Sequence, residues 1–240
     1  MGGFLIHAGF DGLAWLAAGA AGLWLMRSGR VAFPVPQPLR LNYLAALAFG
    51  AGVGAVFFGT ANLWLSGQPG LARSIEGAVA GAIVAIELYK RIAGIRSRTG
   101  ARFALPFAVG VAVGRIGCFL SGLDDFTHGT PTTLPWGHDF GDGVLRHPVQ
   151  LYESAAMAAF AAVYAWRVLR NDRFWISQGF YLAVGCYGAQ RFVWEFFKPY
   201  ATLVGPFTLF HLLSAAVLVY AVAMIATAPK PESVHERAFA

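Results

Sequence analysis

The sequence is poor in charged side chains. Only 12% of its 240 residues are Asp, Glu, Lys or Arg, against about 25% in a typical soluble domain. The hydrophobic fraction is 57%, whereas soluble domains have about 45–50%. These two values exclude most soluble folds, and the high hydrophobicity excludes intrinsic disorder. We therefore expect a protein that crosses a membrane several times.

Cysteine is scarce, and a basic N-terminal segment is missing. The two cysteines, Cys118 and Cys186, both lie in apolar stretches, which excludes a disulfide framework of the small secreted kind. Because no basic segment precedes the first apolar run, we expect no cleavable signal peptide. The net charge of +6 would indicate a nucleic-acid partner in a soluble protein, but in a membrane protein it indicates basic cytoplasmic loops.

Seven apolar segments are each near the ~20 residues that cross a bilayer as a helix. They cover residues 7–26, 41–66, 75–89, 103–121, 149–166, 176–197 and 205–228, with room for the short third one to extend toward Ala72. GxxxG pairs, which let helices approach closely, occur at Gly50/Gly54, Gly77/Gly81 and Gly110/Gly114. We predict an all-α polytopic membrane protein with seven transmembrane helices, forming a single domain over residues 1–240.

The basic residues indicate how these helices are oriented. Thirteen of the 18 Lys and Arg residues follow the first, third, fifth and seventh segments, the last two being Lys230 and Arg237. Three others lie on the opposite side, namely Arg73, Arg146 and Lys198. Because cytoplasmic loops are enriched in basic residues, we predict an external N-terminus and a cytoplasmic C-terminus.

One long loop, residues 122–147, lies on the external side of this topology. It is rich in Gly, Pro and Asp, and loops of this length are usually either functional or disordered. Its aromatic residues Phe126, Trp136 and Phe140 favour a loop that lies on the membrane interface and covers the mouth of the site. A flexible connector is the alternative.

Charged side chains also collect in the outer half of the predicted helix bundle. A charge in hydrocarbon costs at least ~2.5–3.5 kcal/mol on insertion scales, so such residues are functional by default. With one histidine, the set comprises Asp11, Glu76, Arg115, Glu153, Arg191, Glu195 and His211. Glu87 lies instead near the cytoplasmic end, where Lys90 and Arg91 predict an ordinary surface pairing.

Two arginines in this set suit the binding of a phosphate group. An arginine side chain binds phosphate through two parallel hydrogen bonds, and at this depth the available phosphate is that of a phospholipid headgroup. Arg191 and Glu195 are four residues apart and share one helix face, with Tyr187 one turn away. We interpret the set as a polar cavity open to the outer leaflet. Buried ion pairs that fix helix register are the alternative.

Four sequence motifs are similar to those of the prolipoprotein diacylglyceryl transferase family. Residues 114–119, GRIGCF, resemble its GRxGNF signature. Residues 134–137, LPWG, and 146–153, RHPVQLYE, resemble its LPWG and RHPSQLYE stretches. Residues 187–197, YGAQRFVWEFF, resemble its YGxxRxxxEFF helix. The order and spacing of the motifs match across the whole chain, as do seven spans with an external N-terminus.

The resemblance implies an activity and its residues. In this family the diacylglyceryl group of phosphatidylglycerol moves to the lipobox cysteine thiol of a preprolipoprotein, at the outer face of the bacterial inner membrane, and glycerol phosphate leaves. Arg115 and Arg191 match the essential arginines and suit the departing phosphate, while Glu195 would hold Arg191. The motif that shapes the outer mouth supplies Arg146, His147, Tyr152 and Glu153. We expect a monomer in the membrane whose partners are the phospholipid and a protein acceptor, with no cofactor, metal or nucleic acid.

Several positions depart from the family pattern. Glu76-Gly77-Ala78 stands where the family has His-Gly-Gly, Asp11 where it has Tyr, Gly52 where it has Arg, Cys118 where it has Asn, Ser121-Gly122-Leu123 where it has Asn-Gly-Glu, and His211 where it has Gln. We predict that Glu76 acts as a base toward the acceptor thiol, or that Glu76 and Asp11 pair with a cationic or hydroxyl-bearing headgroup.

The remaining predicted substrate-binding residues are Tyr187, Asp11, Cys118, Ser121 and His211. Cys118 is either a small buried hydrophobe or a nucleophile activated by Arg115 on the same helix face. Three functions stay open at this point, since a fold alone does not fix function. They are the family's transfer reaction, a transfer from another lipid or to another acceptor, and a non-catalytic lipid-binding or transport role.

Overall fold

The structure, a computed structural model, describes residues 2–228, so Lys230 and Arg237 lie outside the described residues. Within that range there are seven α-helices: α1 Gly2–Ser28, α2 Arg40–Leu65, α3 Ile75–Ile92, α4 Ala104–Leu120, α5 Val149–Leu169, α6 Arg173–Glu195 and α7 Leu209–Ala226. Four short strands form two antiparallel pairs, β1 His138–Asp139 with β2 Leu145–Arg146, and β3 Thr202–Val204 with β4 Phe207–Thr208. The predicted helical class is confirmed.

The helix boundaries differ from the sequence prediction by up to about five residues, the largest difference being the start of α1 at Gly2 rather than residue 7. α7 begins at Leu209 rather than 205, because Gly205, with a φ of 55°, turns the chain between β3 and β4. Thr208 then caps α7, and its hydroxyl accepts a hydrogen bond from the backbone N–H of His211. α3 begins at Ile75, as predicted, because Ser74 caps its first turn by accepting from the Gly77 N–H. Its other end lies at Ile92 rather than residue 89.

Four helices are long and apolar enough to cross a membrane among the residues described. The spans are Leu5–Ser28, Gln37–Leu65, Gly100–Leu120 and Leu209–Ala226, and the second and third include the short 3-10 turns before α2 and α4. The other three, α3, α5 and α6, carry Glu76, Glu153 and the Arg191/Glu195 pair, which are buried inside the bundle. The protein is thus a membrane protein by composition, and these charged side chains of α3, α5 and α6 point into the bundle.

Glycines hold α2 and α3 together at very short range. Gly50 and Gly54 of α2 face Gly81 and Gly77 of α3. A Cβ atom on Gly54 would collide with the carbonyl oxygen of Gly77, and one on Gly81 with that of Gly50. The close packing predicted from these two GxxxG pairs is therefore present, because only hydrogen side chains leave room for the two backbones.

α1 packs along α4 and leaves most of its surface uncovered. Phe10 lies against Gly117 and Gly22 against Pro106, yet only 6% of the apolar window of α1 is buried inside the protein. The main hydrophobic core lies deeper, between α4, α5 and α6, around Ala108, Met157 and Ala183. This core fixes the ends of α4, α5 and α6 that carry the charged side chains.

Candidate active site

Glu153, in the second turn of α5, is fully buried and contacts three cationic side chains. Its Oε2 pairs with Arg115 Nε at the end of α4. Its Oε1 lies 2.6 Å from Arg191 Nη1 and 3.2 Å from Lys198 Nζ. One carboxylate therefore joins α4, α5, α6 and the segment that follows α6.

Arg191, on the last full turn of α6, binds three carboxylates with its three nitrogens. Nε lies 3.2 Å from Glu76 Oε2, Nη1 lies 2.6 Å from Glu153 Oε1, and Nη2 lies 2.9 Å from Glu195 Oε2. The i,i+4 pair with Glu195 is the one that the sequence predicts. Because each nitrogen of this side chain is already engaged, Arg191 acts as the hub of the site.

The start of α7 supplies neutral hydrogen-bond partners for two of these carboxylates. The Ser214 hydroxyl donates to Glu76 Oε1, and the Thr208 hydroxyl donates to Glu195 Oε1 at 2.7 Å. His211 Nδ1 accepts from the Thr208 backbone N–H at 3.0 Å, which completes a capping box. The ring of His211 packs 4.2 Å from that of Phe196, so this histidine belongs to the helix cap.

Six buried charged side chains form the centre of the site, and their charges balance. We call them the charge cluster: Arg115, Arg191, Lys198, Glu76, Glu153 and Glu195, each at most 6% exposed. Three cations face three carboxylates, which compensates the desolvation of each. The sequence predicts five of the six members; Lys198, in the segment that follows α6, is the member it does not predict. Lys198 is 5% exposed and also donates to the Thr127 carbonyl at 2.9 Å.

The terminal nitrogens of Arg115, unlike those of Arg191, form no ion pair with a described residue. Only Nε forms an ion pair among the residues that the structure describes, and Nη1 lies 3.9 Å from Cys118 Sγ. The terminal nitrogens of Arg115 therefore form the part of the charge cluster best suited to receive an oxygen of a phosphate. Tyr187 lies nearby with a fully buried hydroxyl that has no hydrogen-bond partner within the described chain.

Asp11 lies beside α4 rather than within the charge cluster. Its Oδ2 is 3.2 Å from His7 Nδ1 and 3.8 Å from Arg73 Nη2. His7 Nε2 is in turn 3.8 Å from Cys118 Sγ. Asp11, His7 and Cys118 thus form a connected row that meets the charge cluster at Arg115.

Residues of the predicted outer mouth tie the loop to the helices. The Tyr152 hydroxyl accepts from Trp136 Nε1 at 2.8 Å, and the ring of His147 packs 4.7 Å from that of Phe197. Arg146 forms a two-pronged pair with Asp142, 2.7 Å at each oxygen. This hydrogen bonding lowers the pKa of Asp142 from its ordinary value. The loop therefore contains ordered contacts with α5 and with the segment after α6.

Two further predicted positions have structural partners. The Ser121 hydroxyl donates to the Gly117 carbonyl at 2.8 Å, inside the last turn of α4. Glu87 pairs with Lys90 at 3.2 Å and also accepts from the Tyr220 hydroxyl at 3.0 Å. The predicted pairing is therefore present, but Lys90 is 6% exposed and so lies inside the protein rather than on its surface. Glu87 borders an apolar cavity of ≈ 220 Å³ between α2, α3, α6 and α7.

Sequence reasoning did not single out Lys198, Ser214, Thr208 or His7. Two of them carried a usable signal: Lys198 follows Glu195 by three residues, and His7 precedes Asp11 by four. Both spacings place side chains side by side on a helix or its extension. Ser214 and Thr208 are 138 and 13 residues from their partners, and nothing local in the sequence indicates either contact.

The chain is similar to known proteins over most of its length. The prolipoprotein diacylglyceryl transferase family matches residues 12–227. Three relatives are named phosphatidylglycerol–prolipoprotein diacylglyceryl transferase. The one from Wolbachia pipientis subsp. Culex pipiens is 40% identical over 95 residues, which is 38% of this chain and 35% of the relative. The one from Coxiella burnetii is 35% identical over 130 residues, 52% of this chain and 48% of the relative. The one from Cupriavidus pinatubonensis is 31% identical over 161 residues, 63% of this chain and 56% of the relative.

The alignments thus span from about a third to just over half of the length of these relatives. The family match is longer and contains Arg115, Glu153, Arg191 and Glu195. The chain belongs to the prolipoprotein diacylglyceryl transferase family.

Proposed function

We propose that this protein transfers the diacylglyceryl group of phosphatidylglycerol to the lipobox cysteine thiol of a preprolipoprotein. The observation that carries the proposal is the pair of buried arginines, Arg115 and Arg191, joined through Glu153 inside the charge cluster. Family membership and the names of the curated relatives support the choice of donor and acceptor.

The proposed reaction needs a stabilised phosphate as the leaving group. The acceptor thiolate forms a bond to the terminal glyceryl carbon of the lipid, the carbon–oxygen bond to phosphate breaks, and glycerol phosphate leaves with the negative charge. The terminal nitrogens of Arg115 stabilise that charge. Arg191 positions Glu76, Glu153 and Glu195, and Tyr187 offers its buried hydroxyl to the headgroup.

Roles for the remaining residues follow from the same proposal. Glu76 stays our prediction for the base toward the acceptor thiol; its carboxylate is held by Arg191 and Ser214 until the substrates bind. Arg146, His147 and Tyr152 shape the mouth through the loop 122–147. Asp11, Cys118, Ser121 and His211 stay predicted substrate contacts.

The proposed topology has seven membrane-spanning helices in one domain, with the N-terminus outside and the C-terminus in the cytoplasm. The positive-inside distribution of Lys and Arg supports this orientation. The loop 122–147 then lies over the site on the external face of the bacterial inner membrane. We also propose that the chain acts as a monomer.

A second candidate is transfer from a lipid with another headgroup. It is favoured by the neutrality of the charge cluster, because Glu76 takes up one nitrogen of Arg191 that an anionic headgroup could otherwise bind. A headgroup with a cationic or hydroxyl group would find a carboxylate partner in this site.

The test is expression in bacteria depleted of their own transferase, followed by mass measurement of a reporter lipoprotein. We expect the reporter to gain the mass of a diacylglyceryl group. Arg115→Gln should lower the rate about a hundredfold or more, since it removes a donor to the developing charge. Arg27→Gln changes an exposed arginine far from the charge cluster and serves as the matched control.

Absence of a mass gain with wild-type protein present in the membrane would overturn the proposal. Feeding labelled phosphatidylglycerol or phosphatidylethanolamine in separate vesicles distinguishes the two candidates. A gain seen with phosphatidylethanolamine alone would support the second.

A further inference from the structure

Asp11, His7 and Cys118 form a row in which His7 lies between the other two, as the base does between carboxylate and nucleophile in a catalytic triad. The two ring nitrogens of His7 face different partners: Nδ1 lies 3.2 Å from Asp11 Oδ2, and Nε2 lies 3.8 Å from Cys118 Sγ. This is a nucleophile, a base and a group that orients the base. Such contacts are often longer in a ligand-free protein than in the reacting complex.

Packing between α1 and α4 produces this arrangement. His7 and Asp11 are four residues apart on one face of α1, and that face packs on α4, where Phe10 lies against Gly117. Arg73 approaches Asp11 from the other side at 3.8 Å. Cys118 is 7% exposed, while the side chains of His7 and Asp11 are 28% and 41% exposed. The row therefore lies at the edge of the bundle, where α1 is uncovered.

We propose that Cys118 is a nucleophile that accepts a fatty acyl group from a glycerophospholipid ester, with His7 as base and Asp11 as positioning residue. The proposal goes beyond transfer to a lipoprotein and does not depend on it. The uncovered flank of α1 gives a bilayer lipid lateral access to the row, and the ester linkages of a phospholipid lie just below its headgroup.

His7 Nε2 removes the proton of the Cys118 thiol, and the resulting thiolate attacks the ester carbonyl carbon. The oxyanion that forms is stabilised by Arg115, whose Nη1 is 3.9 Å from Cys118 Sγ. The ester carbon–oxygen bond then breaks, His7 returns the proton to the departing lysophospholipid hydroxyl, and a thioester remains on Cys118. Water attacking that thioester releases a fatty acid and restores the thiol.

A thioester is the chemically reasonable covalent product at this position. Attack of Cys118 on the glyceryl carbon would instead give a thioether. A second thiol does not readily displace Cys118 from that carbon, because the thiolate of Cys118 is a poor leaving group from an alkyl carbon. Acyl transfer therefore allows turnover, whereas alkylation of Cys118 would end the reaction.

The test uses the full chain in vesicles of phosphatidylglycerol that carry alkyne-tagged acyl chains. After incubation, the protein is coupled to a dye through the alkyne, digested, and analysed by peptide mass measurement. We expect tagged acyl chains on the peptide that contains Cys118, and release of the tag by neutral hydroxylamine, which cleaves thioesters. The label should be lost in Cys118→Ala and kept in Cys186→Ala, the matched change at the other cysteine.

Changes at His7 and Asp11 test the roles of these two residues. His7→Gln should slow acylation about a hundredfold or more, as expected for the loss of a general base. Asp11→Asn should slow acylation, whereas Asp11→Glu, which keeps the carboxylate, should acylate at close to the wild-type rate. The rate at which iodoacetamide alkylates Cys118 gives a second readout, and it should fall in His7→Gln while alkylation of Cys186 stays constant.

Three outcomes would overturn the proposal: no label on wild-type protein, a label that persists in Cys118→Ala, or a hydroxylamine-stable label whose mass includes the glyceryl group. The last would mean alkylation rather than acylation. Modification of the reporter lipoprotein is measured separately as a thioether on the acceptor, so failure of one activity is distinguishable from failure of the other.

Discussion

At the scale of single residues, Glu153 has more charged partners than any other carboxylate described here. It contacts Arg115, Arg191 and Lys198 and is completely buried. Replacing it by Gln leaves three buried cations facing two carboxylates. Removing one partner of a buried ion pair costs about 3–5 kcal/mol, and we expect Glu153→Gln to lower the free energy of unfolding in detergent micelles by that amount.

Thermal unfolding followed by far-ultraviolet circular dichroism measures this effect. Asp142→Asn is the control, because it removes a carboxylate that is paired with Arg146 in the exposed loop. The midpoint should fall far more in Glu153→Gln than in Asp142→Asn. Equal midpoints in the two variants would contradict the assigned role of Glu153.

How far the sequence predicts this site depends on the distance along the chain between partners. Arg191 and Glu195 are one helical turn apart, so their contact follows from helix geometry alone. Contacts such as Arg191–Glu76 join residues 115 positions apart, and here the sequence indicates only that both side chains need a buried partner. Arg115, Glu153 and Arg191 were predicted because charges are rare in apolar helices, while the pairing between them required the fold.

At the scale of helices, the close contact between α2 and α3 predicts opposite effects on stability for alanine substitutions at two nearby glycines of α2. Gly54→Ala places a methyl group against the Gly77 carbonyl oxygen, whereas Gly52→Ala meets nothing within 4 Å. Overpacking typically costs about 1–3 kcal/mol, so Gly54→Ala should be destabilising. Gly52→Ala should be stabilising by up to about 1 kcal/mol, because Ala is the better helix former.

Thermal unfolding of both variants beside wild-type protein checks this pair. The predicted result is a lower midpoint for Gly54→Ala and an unchanged or higher midpoint for Gly52→Ala. If both changes shifted the midpoint equally, the close approach of α2 and α3 would not be a stabilising contact.

The sequence predicts helices better than it predicts the short connections. α1 to α6 begin and end within a few residues of the apolar segments, since hydropathy changes sharply there. The start of α7 was misplaced because residues 202–208 are also apolar, and hydropathy does not distinguish a short hairpin from a helix. Gly205 and Thr208 supply the local signals, a turn and a helix cap, that mark the true boundary.

At the scale of the whole molecule, the proposed topology predicts which loops face outward. In a Cys118→Ala, Cys186→Ala background, Asp142→Cys should react with a membrane-impermeant maleimide in spheroplasts. Arg96→Cys and Arg170→Cys, which follow α3 and α5, should react only after the membrane is opened. Labelling of Arg170→Cys in sealed spheroplasts would contradict the orientation derived from the basic residues.

The length of α1 has a consequence for the membrane around it. Its 27 residues give a helix about 40 Å long at 1.5 Å per residue, while the hydrocarbon layer is about 30 Å thick. Such an excess is accommodated by tilting or by local thickening of the bilayer, and α4 limits the tilt because α1 packs along it. The thickness of the surrounding bilayer, which depends on lipid chain length, therefore sets the distance between the His7 end of α1 and the lipid headgroups.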